Sequence, residues 1–158
     1  MNLRLRPMTE ADFAEFHERE QAKYAEELTE NYDVAPKEAR EQAAGHFRAL
    51  LRNGLATPDH YLRCIELDDD DARDLVGYLW YSVDGLGGYA WLDGMTILEP
   101  HRRQGHGRRA LALVDDELRA RGIDGISLHV FGANTGAQEF YKRLGFRVTD
   151  VTMKRDID

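Results

Sequence analysis

The sequence predicts a mixed α/β domain in which helices flank a sheet that is mostly antiparallel. Three features of the chain lead to this prediction. An alternating strand and two amphipathic helices come first, three strands joined by short turns follow, and the last third alternates between helix and strand. The predicted order of elements is therefore β-α-α-β-β-β-α-β-α-β. Because no linker or change of composition divides the 158 residues, we expect residues 1–158 to form a single domain.

The first third of the chain predicts one strand and two helices. Leu3–Arg6 alternates apolar and basic residues, as a half-buried strand does. A helix follows over about Glu10–Thr29, because Thr9 offers an N-cap and apolar residues recur at helical spacing. The apolar residues of this helix are Phe13, Phe16, Tyr24 and Leu28. Pro36 suits the first turn of a second helix, which ends at Gly54.

The middle of the chain changes to a strand-like period. Three strands are predicted here, at Tyr61–Leu67, Leu75–Val83 and Tyr89–Leu98. The turns between them contain the run Asp68–Asp71, the pair Asp84-Gly85 and the pair Gly87-Gly88, which are typical of hairpins. The Asp68–Asp71 run lacks the spaced ligands, the central glycine and the terminal glutamate of a calcium loop. We interpret it as a charged, solvated turn, and we expect these three strands to be antiparallel.

The last third predicts a parallel strand–helix–strand crossover followed by a short helix and a strand. The predicted elements are a helix over Gly107–Arg121, a strand over Ile126–Phe131, a helix that Asn134 or Thr135 caps and Gly145 ends, and a strand over Phe146–Met153.

Composition excludes several classes of function. The 21 Lys and Arg residues against 29 Asp and Glu residues give a net charge of −8, which disfavours nucleic-acid binding. The longest apolar runs are far shorter than the roughly 20 residues of a membrane-spanning helix, and no secretory signal opens the chain. The single cysteine, Cys64, excludes zinc sites built on cysteine pairs, and we expect no metal. A reducing cytoplasm is the expected compartment.

A glycine-containing loop carries the clearest functional signal. It consists of Arg102, Arg103, Gln104, Gly105, His106, Gly107 and Arg108, and it precedes a predicted helix. Glycines let the backbone approach a ligand closely, while the free N–H groups and the dipole of a helix start attract anions. Four arginines, which are Arg102, Arg103, Arg108 and Arg109, reverse the charge locally in an acidic chain. The loop therefore predicts a phosphate or pyrophosphate site, although a solvated glycine turn would show the same short pattern.

The same residues also fit a dinucleotide-binding fingerprint, Gly105-x-Gly107-x-x-Ala110. That fingerprint normally follows the first strand of a doubly wound unit. Here only about 50 residues remain after the loop, and Asp124 precedes the next strand instead of ending it. We therefore disfavour a nucleotide-binding fold.

Two blocks of sequence, at a matching separation, carry a family resemblance. The first is Arg102-x-x-Gly105-x-Gly107. The second comprises Leu128, His129, Val130, Phe131, Gly132, Ala133 and Asn134, followed by Ala137, Tyr141, Leu144, Gly145 and Phe146. Together with the order of elements, which agrees over essentially the whole chain, they resemble the GNAT superfamily of acyl-CoA-dependent N-acyltransferases. The phosphate loop of that family reads Gln/Arg-x-x-Gly-x-Gly/Ala.

The resemblance implies acetyl-CoA as the acyl donor and an amine as the acceptor. It implies that the backbone of Arg103–Arg108 holds the CoA pyrophosphate and that the main chain of Ile97 and Glu99 binds the pantetheine arm. Asn134 matches a position whose amide contacts the cofactor, and it also suits a helix N-cap. Tyr141 matches the position of the usual general acid, whose phenol protonates the departing sulfur.

The resemblance leaves the general base open. Asp93 on the central strand, His129 on the next strand and Glu99 at the strand end are the candidates. Family members with this pattern tend to carry acids on the central strand, which we would expect one and three residues after Asp93. This chain has Gly94 and Thr96 at those positions.

We therefore expect an acetyl-CoA-dependent N-acetyltransferase that transfers the acetyl group directly to a primary amine. The acceptor is expected to be a small molecule or a peptide, with neither nucleic acid nor membrane as a partner, and a homodimer is compatible with the sequence. The candidate walls of the acceptor site are Tyr24, Tyr32, Trp80 and Trp91. The alternative from another class is a non-catalytic acyl-CoA-binding or regulatory module of the same fold.

Overall fold

A computed structural model describes residues 2–69, 72–83 and 86–158 of the chain. The strands are β1 (Asn2–Pro7), β2 (His60–Asp69), β3 (Ala72–Ser82), β4 (Ala90–Ile97) and β5 (Ile126–Leu128). The helices are α1 (Glu10–Tyr32), α2 (Pro36–Leu50), α3 (His106–Ala120) and α4 (Thr135–Arg143). This architecture confirms the predicted fold class. The predicted turn residues Asp70, Asp71, Asp84 and Gly85 lie outside the described residues.

The five strands form one sheet in the order β1-β2-β3-β4-β5. The first three pairings are antiparallel and the last, between β4 and β5, is parallel, as the hairpin and crossover patterns predict. Strand β5 is shorter than predicted, because it ends at Leu128 and not at Phe131. Only Ala90–Leu92 of β4 pairs with it, so the two strands separate after three residues.

The predicted final strand, Phe146–Met153, is wrong. These residues have no strand conformation in the structure. Val148, Val151 and Met153 are 64%, 71% and 89% exposed. An alternating pattern becomes a strand only when a neighbour supplies hydrogen bonds, and this segment pairs with none of the five described strands.

Helices cover both faces of the sheet. On one face, α3 buries Val114 and Leu118 against a cluster that includes Leu79 and Tyr81. On the other face, α1 and α2 pack their aromatic residues against β2 and β3, in a cluster that includes Phe16, Phe47, Tyr78, Trp80 and Cys64. Cys64 is fully buried, and burial raises the pKa of its thiol to about 12, so it serves as a small apolar core residue. Among the described helices, none has the length and apolar character needed to cross a bilayer.

A polar network fixes the start of α1 against β1 and β2. Thr9 and Asp12 form the predicted capping box. Arg6 donates to Asp12 Oδ2 at 2.9 Å and to Glu66 Oε1 at 2.8 Å. The hydrogen bond from Arg6, and then those from Thr9, hold the pKa of Asp12 well below its usual range. The network therefore sets the direction in which α1 crosses the sheet.

Candidate active site

A cleft of about 1280 Å³ opens where β4 and β5 separate. Residues of α1 and α2 line one side, and residues of α3, α4 and the segment that follows α4 line the other. The parallel pairing ends at Leu92, whereas β4 continues to Ile97. Beyond Leu92, β4 therefore has no strand partner on this side among the described residues, and its residues Asp93, Gly94 and Met95 line the cleft, whereas Ile97 does not.

A β-bulge lies at the point of separation. Trp80 of β3 is opposite Gly94, but Tyr81 is opposite Leu92, so Asp93 is an extra residue in β4. Bulges redirect side chains and are frequent beside active sites. Asp93, a predicted base candidate, lines the cleft, and its Oδ2 atom is buried.

A second carboxylate reaches the same stretch of β4 from α1. The hydroxyl of Thr96 donates to Oε1 of Glu20 at 2.5 Å. The other oxygen, Oε2, lies 3.4 Å from the point where a side chain at Gly94 would begin. Glu20 is only 6% exposed, lines the cleft, and makes no ion pair with any residue the structure describes. It therefore supplies an acid beside the two positions where the family pattern led us to expect one on the strand.

Glu20 was not among the predicted site residues, although the sequence contains a signal for it. Phe16, Tyr24 and Leu28 are separated by multiples of four residues, and Glu20 falls between them at the same spacing. Residues four apart lie on one face of a helix, so Glu20 is a charged residue within the buried stripe of α1. An acidic residue in such a stripe is rarely buried without a function or a partner.

Tyr141, the predicted general acid, lies on α4 across the cleft from α1. Its ring packs between Phe140 and Phe146, with centroids 5.1 and 5.4 Å away. Burial, and then the negative charge of Glu20, raise the pKa of Tyr141 to about 12. The phenol therefore keeps its proton at neutral pH and lies within electrostatic reach of the Glu20 carboxylate.

The other two predicted base candidates lie away from this pair. His129 follows β5 at the rim of the cleft, where it is exposed and its ring meets Phe131 edge-on at 4.8 Å. It is therefore not part of the buried core. Glu99 is exposed in a short 3-10 turn after β4 and does not line the cleft.

The predicted anion loop lies between this turn and α3. Helix α3 begins at His106, and Gly105 precedes it in the left-handed conformation with φ +80°. No side chain caps the helix, and nothing lies within 4 Å of the point where a Cβ of Gly105 would be. The N–H groups of the first turn are thus open to an anion, which the helix dipole would also attract. Gly107 has a different role, because a Cβ there would lie 3.2 Å from the ring of Phe140.

The side chains of the loop divide into two groups. Arg103 and Arg108 are exposed and form no ion pair with the described part of the chain, so both are available to an anion. By contrast, Arg102 donates to the carbonyl of Ile97 at 2.9 Å, and Gln104 donates to that of Pro100 at 3.1 Å. These two predicted cofactor contacts therefore brace the loop in this structure, and the Ile97 carbonyl is engaged by Arg102.

His106 and Asn134 complete the predicted binding residues. His106 is 6% exposed, and burial lowers the pKa of its imidazole, so the ring is neutral near pH 7 and is not a charged contact for an anion. Asn134 caps α4 by accepting a hydrogen bond from the Ala137 N–H at 3.1 Å, and it also lines the cleft. The capping role and a ligand contact are therefore compatible. Within the described ranges, no three potential metal ligands cluster together.

The fold thus combines a sheet that separates between β4 and β5 with an uncapped start of α3 that follows a left-handed glycine. The sequence profile of the acetyltransferase (GNAT) family matches residues 8–146. The chain therefore belongs to the GNAT family of acetyltransferases.

Two comparisons support the family at full length. The chain is 33% identical over 159 residues to the uncharacterized N-acetyltransferase YycN of Bacillus subtilis, with 99% of this chain and 100% of that protein covered. The crystal structure of YycN superposes with a TM-score of 0.91 at 32% identity and covers 99% of both chains. A more distant structure, AAC(6')-Iy in complex with a CoA-containing bisubstrate analogue, shares the fold with a TM-score of 0.61 and 14% identity over 100% of this chain and 99% of that one.

Members of the family use acetyl-CoA, and the residues of this chain fit that molecule. The uncapped start of α3 and the open space at Gly105 suit the pyrophosphate, and Arg103 and Arg108 add positive charge. The unpaired half of β4 leaves backbone groups beside the cleft for an extended arm with amide groups.

Proposed function

We propose that the protein transfers an acetyl group from acetyl-CoA to a primary amine, which attacks the thioester directly while both substrates are bound. The observation that carries this proposal is that Glu20, hydrogen-bonded to Thr96 of β4, and Tyr141 of α4 line the same cleft at the separation of β4 and β5. One group is a buried carboxylate that can accept a proton, and the other is a phenol that retains its proton.

Each residue has a separate part in the transfer. Acetyl-CoA supplies the acetyl thioester. The amine arrives as an ammonium ion and gives a proton to Glu20, whose Oε1 atom Thr96 holds in place. The nitrogen forms the new bond to the acetyl carbon as the carbon–sulfur bond breaks, and Tyr141 donates its proton to the departing thiolate. The nitrogen then gives its second proton to the Tyr141 phenolate, so that the products are the amide, free CoA and one proton on Glu20 that is released to solvent.

In this proposal Asp93 and His129 assist the transfer without being the proton acceptor. Asp93 is adjacent to Gly94 on the bulge and adds negative charge where the ammonium ion binds. His129 is exposed at the rim, so it is suited to passing a proton from the cleft to solvent.

The substitution Tyr141→Phe tests the proposal, because it removes the phenolic oxygen and preserves the ring contacts with Phe140 and Phe146. We expect kcat for amine-dependent release of free CoA to fall about a hundredfold or more. Tyr61→Phe is the matched control, since its hydroxyl bonds to Arg121 outside the cleft. An unchanged kcat in Tyr141→Phe would remove Tyr141 from the mechanism.

A non-catalytic acyl-CoA-binding module remains the second candidate, because the anion loop alone would support it. Calorimetry with acetyl-CoA and a thiol-release assay over a panel of amines separate the two. Binding with no turnover for any amine favours the module, and turnover with any primary amine favours the enzyme.

A further inference from the structure

Four rings surround the α1–α2 end of the cleft. Tyr24 stacks on His46 with ring centroids 4.6 Å apart, and Phe131 lies 5.9 Å from Tyr24 and 6.2 Å from Tyr32. All four line the cleft. Burial lowers the pKa of His46, so its ring is neutral near pH 7. We call these four residues the aromatic box.

One carboxylate, Glu27, borders the aromatic box. It lines the cleft and is half-buried, and no lysine or arginine of the described segments forms an ion pair with it. Burial raises the pKa of Glu27, and the charges of Glu20, Glu26 and Glu30 raise it further, with Lys23 acting in the opposite direction. A cation bound at this point would relieve the unfavourable charge. Aromatic faces beside a carboxylate are a typical environment for an ammonium group.

A buried, incompletely partnered acid lies two helical turns away on the same face of α1. Glu20 is seven residues before Glu27, which corresponds to about 10.5 Å along the helix axis. Oε2 of Glu20 accepts no hydrogen bond from the described part of the chain, although the residue is only 6% exposed and lines the cleft. Tyr24 lies between the two glutamates. The cleft thus has two separate places for positive charge, joined by an aromatic surface.

We propose that the acceptor is a linear aliphatic diamine or polyamine with a positively charged nitrogen at each of these two places. This inference rests on the proposed acetyl transfer. One nitrogen binds at Glu20, where it loses a proton and accepts the acetyl group. The second stays protonated in the aromatic box beside Glu27, and the methylene chain between them packs along Tyr24.

The arrangement disfavours other amines. A simple monoamine leaves Glu27 without a cation, and the carboxylate of a free amino acid would be repelled by either glutamate. The net charge of −8 also favours a dication in the encounter with the protein.

The test compares hexylamine with diaminohexane, which differ by one ammonium group, in a thiol-release assay with acetyl-CoA and the full chain. We expect kcat/KM to be about tenfold or more higher for the diamine, with most of the difference in KM. Equal kcat/KM values for the two amines would overturn the inference and leave the proposed function intact. Acetylation of neither amine would overturn the inference, and turnover with another primary amine of the panel would still support the proposed function.

Glu27→Gln locates the second charge. The substitution removes the charge of Glu27 and preserves the shape of its side chain. We therefore expect the ratio of kcat/KM for diaminohexane to that for hexylamine to fall close to one. Glu26→Gln and Glu30→Gln are the matched controls, because both residues are exposed on the same helix, and we expect each to retain the preference. A preference that survives in Glu27→Gln contradicts the assignment of the second ammonium to this residue.

Discussion

The substitution Glu20→Gln removes a proposed proton acceptor from the cleft and keeps the size and shape of the side chain. Glutamine keeps an oxygen that can accept the hydrogen bond from Thr96, and it fits the same space beside Gly94. What it loses is the negative charge and the ability to accept a proton from the amine. The change therefore tests the role of Glu20 with little disturbance of packing.

The effects of Glu20→Gln on kcat/KM and on the free energy of unfolding can both be estimated from the structure. A positioned proton acceptor raises the rate by a factor of about 10²–10⁴, so we expect kcat/KM to fall by about a hundredfold or more. The hydrogen bond from Thr96 weakens by about 1 kcal/mol when its acceptor becomes neutral. Removing a charge from a site that is 6% exposed offsets that loss, so we expect the free energy of unfolding to change by less than about 1 kcal/mol.

The assay is steady-state release of free CoA with a diamine acceptor, accompanied by thermal unfolding of the same preparations. Glu18→Gln is the matched control, because Glu18 is exposed on the same helix. Because the charge of Glu20 helps to raise the pKa of Tyr141, that pKa should also fall below about 12 in Glu20→Gln. A variant that keeps the wild-type kcat/KM would refute the assignment of Glu20 as the proton acceptor.

Two further predictions concern the loop and the start of α1. Gly105→Ala forces a side chain into a conformation with φ +80°, so we expect the free energy of unfolding to fall by about 1–2 kcal/mol and the KM for acetyl-CoA to rise. Gly136→Ala on α4 is the control, because that position has open space and no positive φ, and it should not raise the KM. An unchanged KM in Gly105→Ala would argue against the anion site. Asp12→Asn should lower stability at pH 7 by about 1–2 kcal/mol in chemical unfolding. Because the folded-state pKa of Asp12 is depressed, the difference should shrink as the pH falls below about 4, and a constant difference would contradict the Arg6–Asp12 assignment.

The anion loop was predictable because its determinants are local. A glycine ahead of a helix, the missing cap and the neighbouring arginines are all adjacent in the chain, and the structure has Gly105 in the left-handed conformation before α3. Tyr141 and Asn134, which the resemblance singled out, both line the cleft. For Gly107, however, spacing could not distinguish ligand access from packing against Phe140, a residue of a different helix.

Glu20 was missed because its role depends on how α1 crosses β4. The expected carboxylate was sought on the strand itself, at Gly94 and Thr96. In the folded protein the small residues at these positions make room for an acid that belongs to a helix more than 70 residues earlier in the sequence, and the hydroxyl of Thr96 binds it. These residues come together only through tertiary packing. The hydrogen bond from Arg6 to Asp12 holds the start of α1 against β1, and α1 then packs on the sheet so that Glu20 reaches β4.

The last strand was mispredicted for a related reason. The alternation over Phe146–Met153 describes a segment able to lie on a sheet, but a strand also requires a partner with free hydrogen-bonding groups. Strand β5 is only three residues long, so it offers little edge for the pairing. Local periodicity contains no information about that edge.

The gap between β4 and β5 also affects how substrate preference can evolve in this protein. The groups assigned to the acetyl donor lie on α3, α4 and the end of β4, whereas most of those assigned to the acceptor lie on α1 and α2, with Asp93 of β4 and Phe131 after β5 added to them. The two sets meet only around Glu20 and Tyr141. Substitutions at the acceptor end, such as those at Tyr24 or Glu27, can therefore change the amine that is chosen without altering the surface that recognises the shared donor.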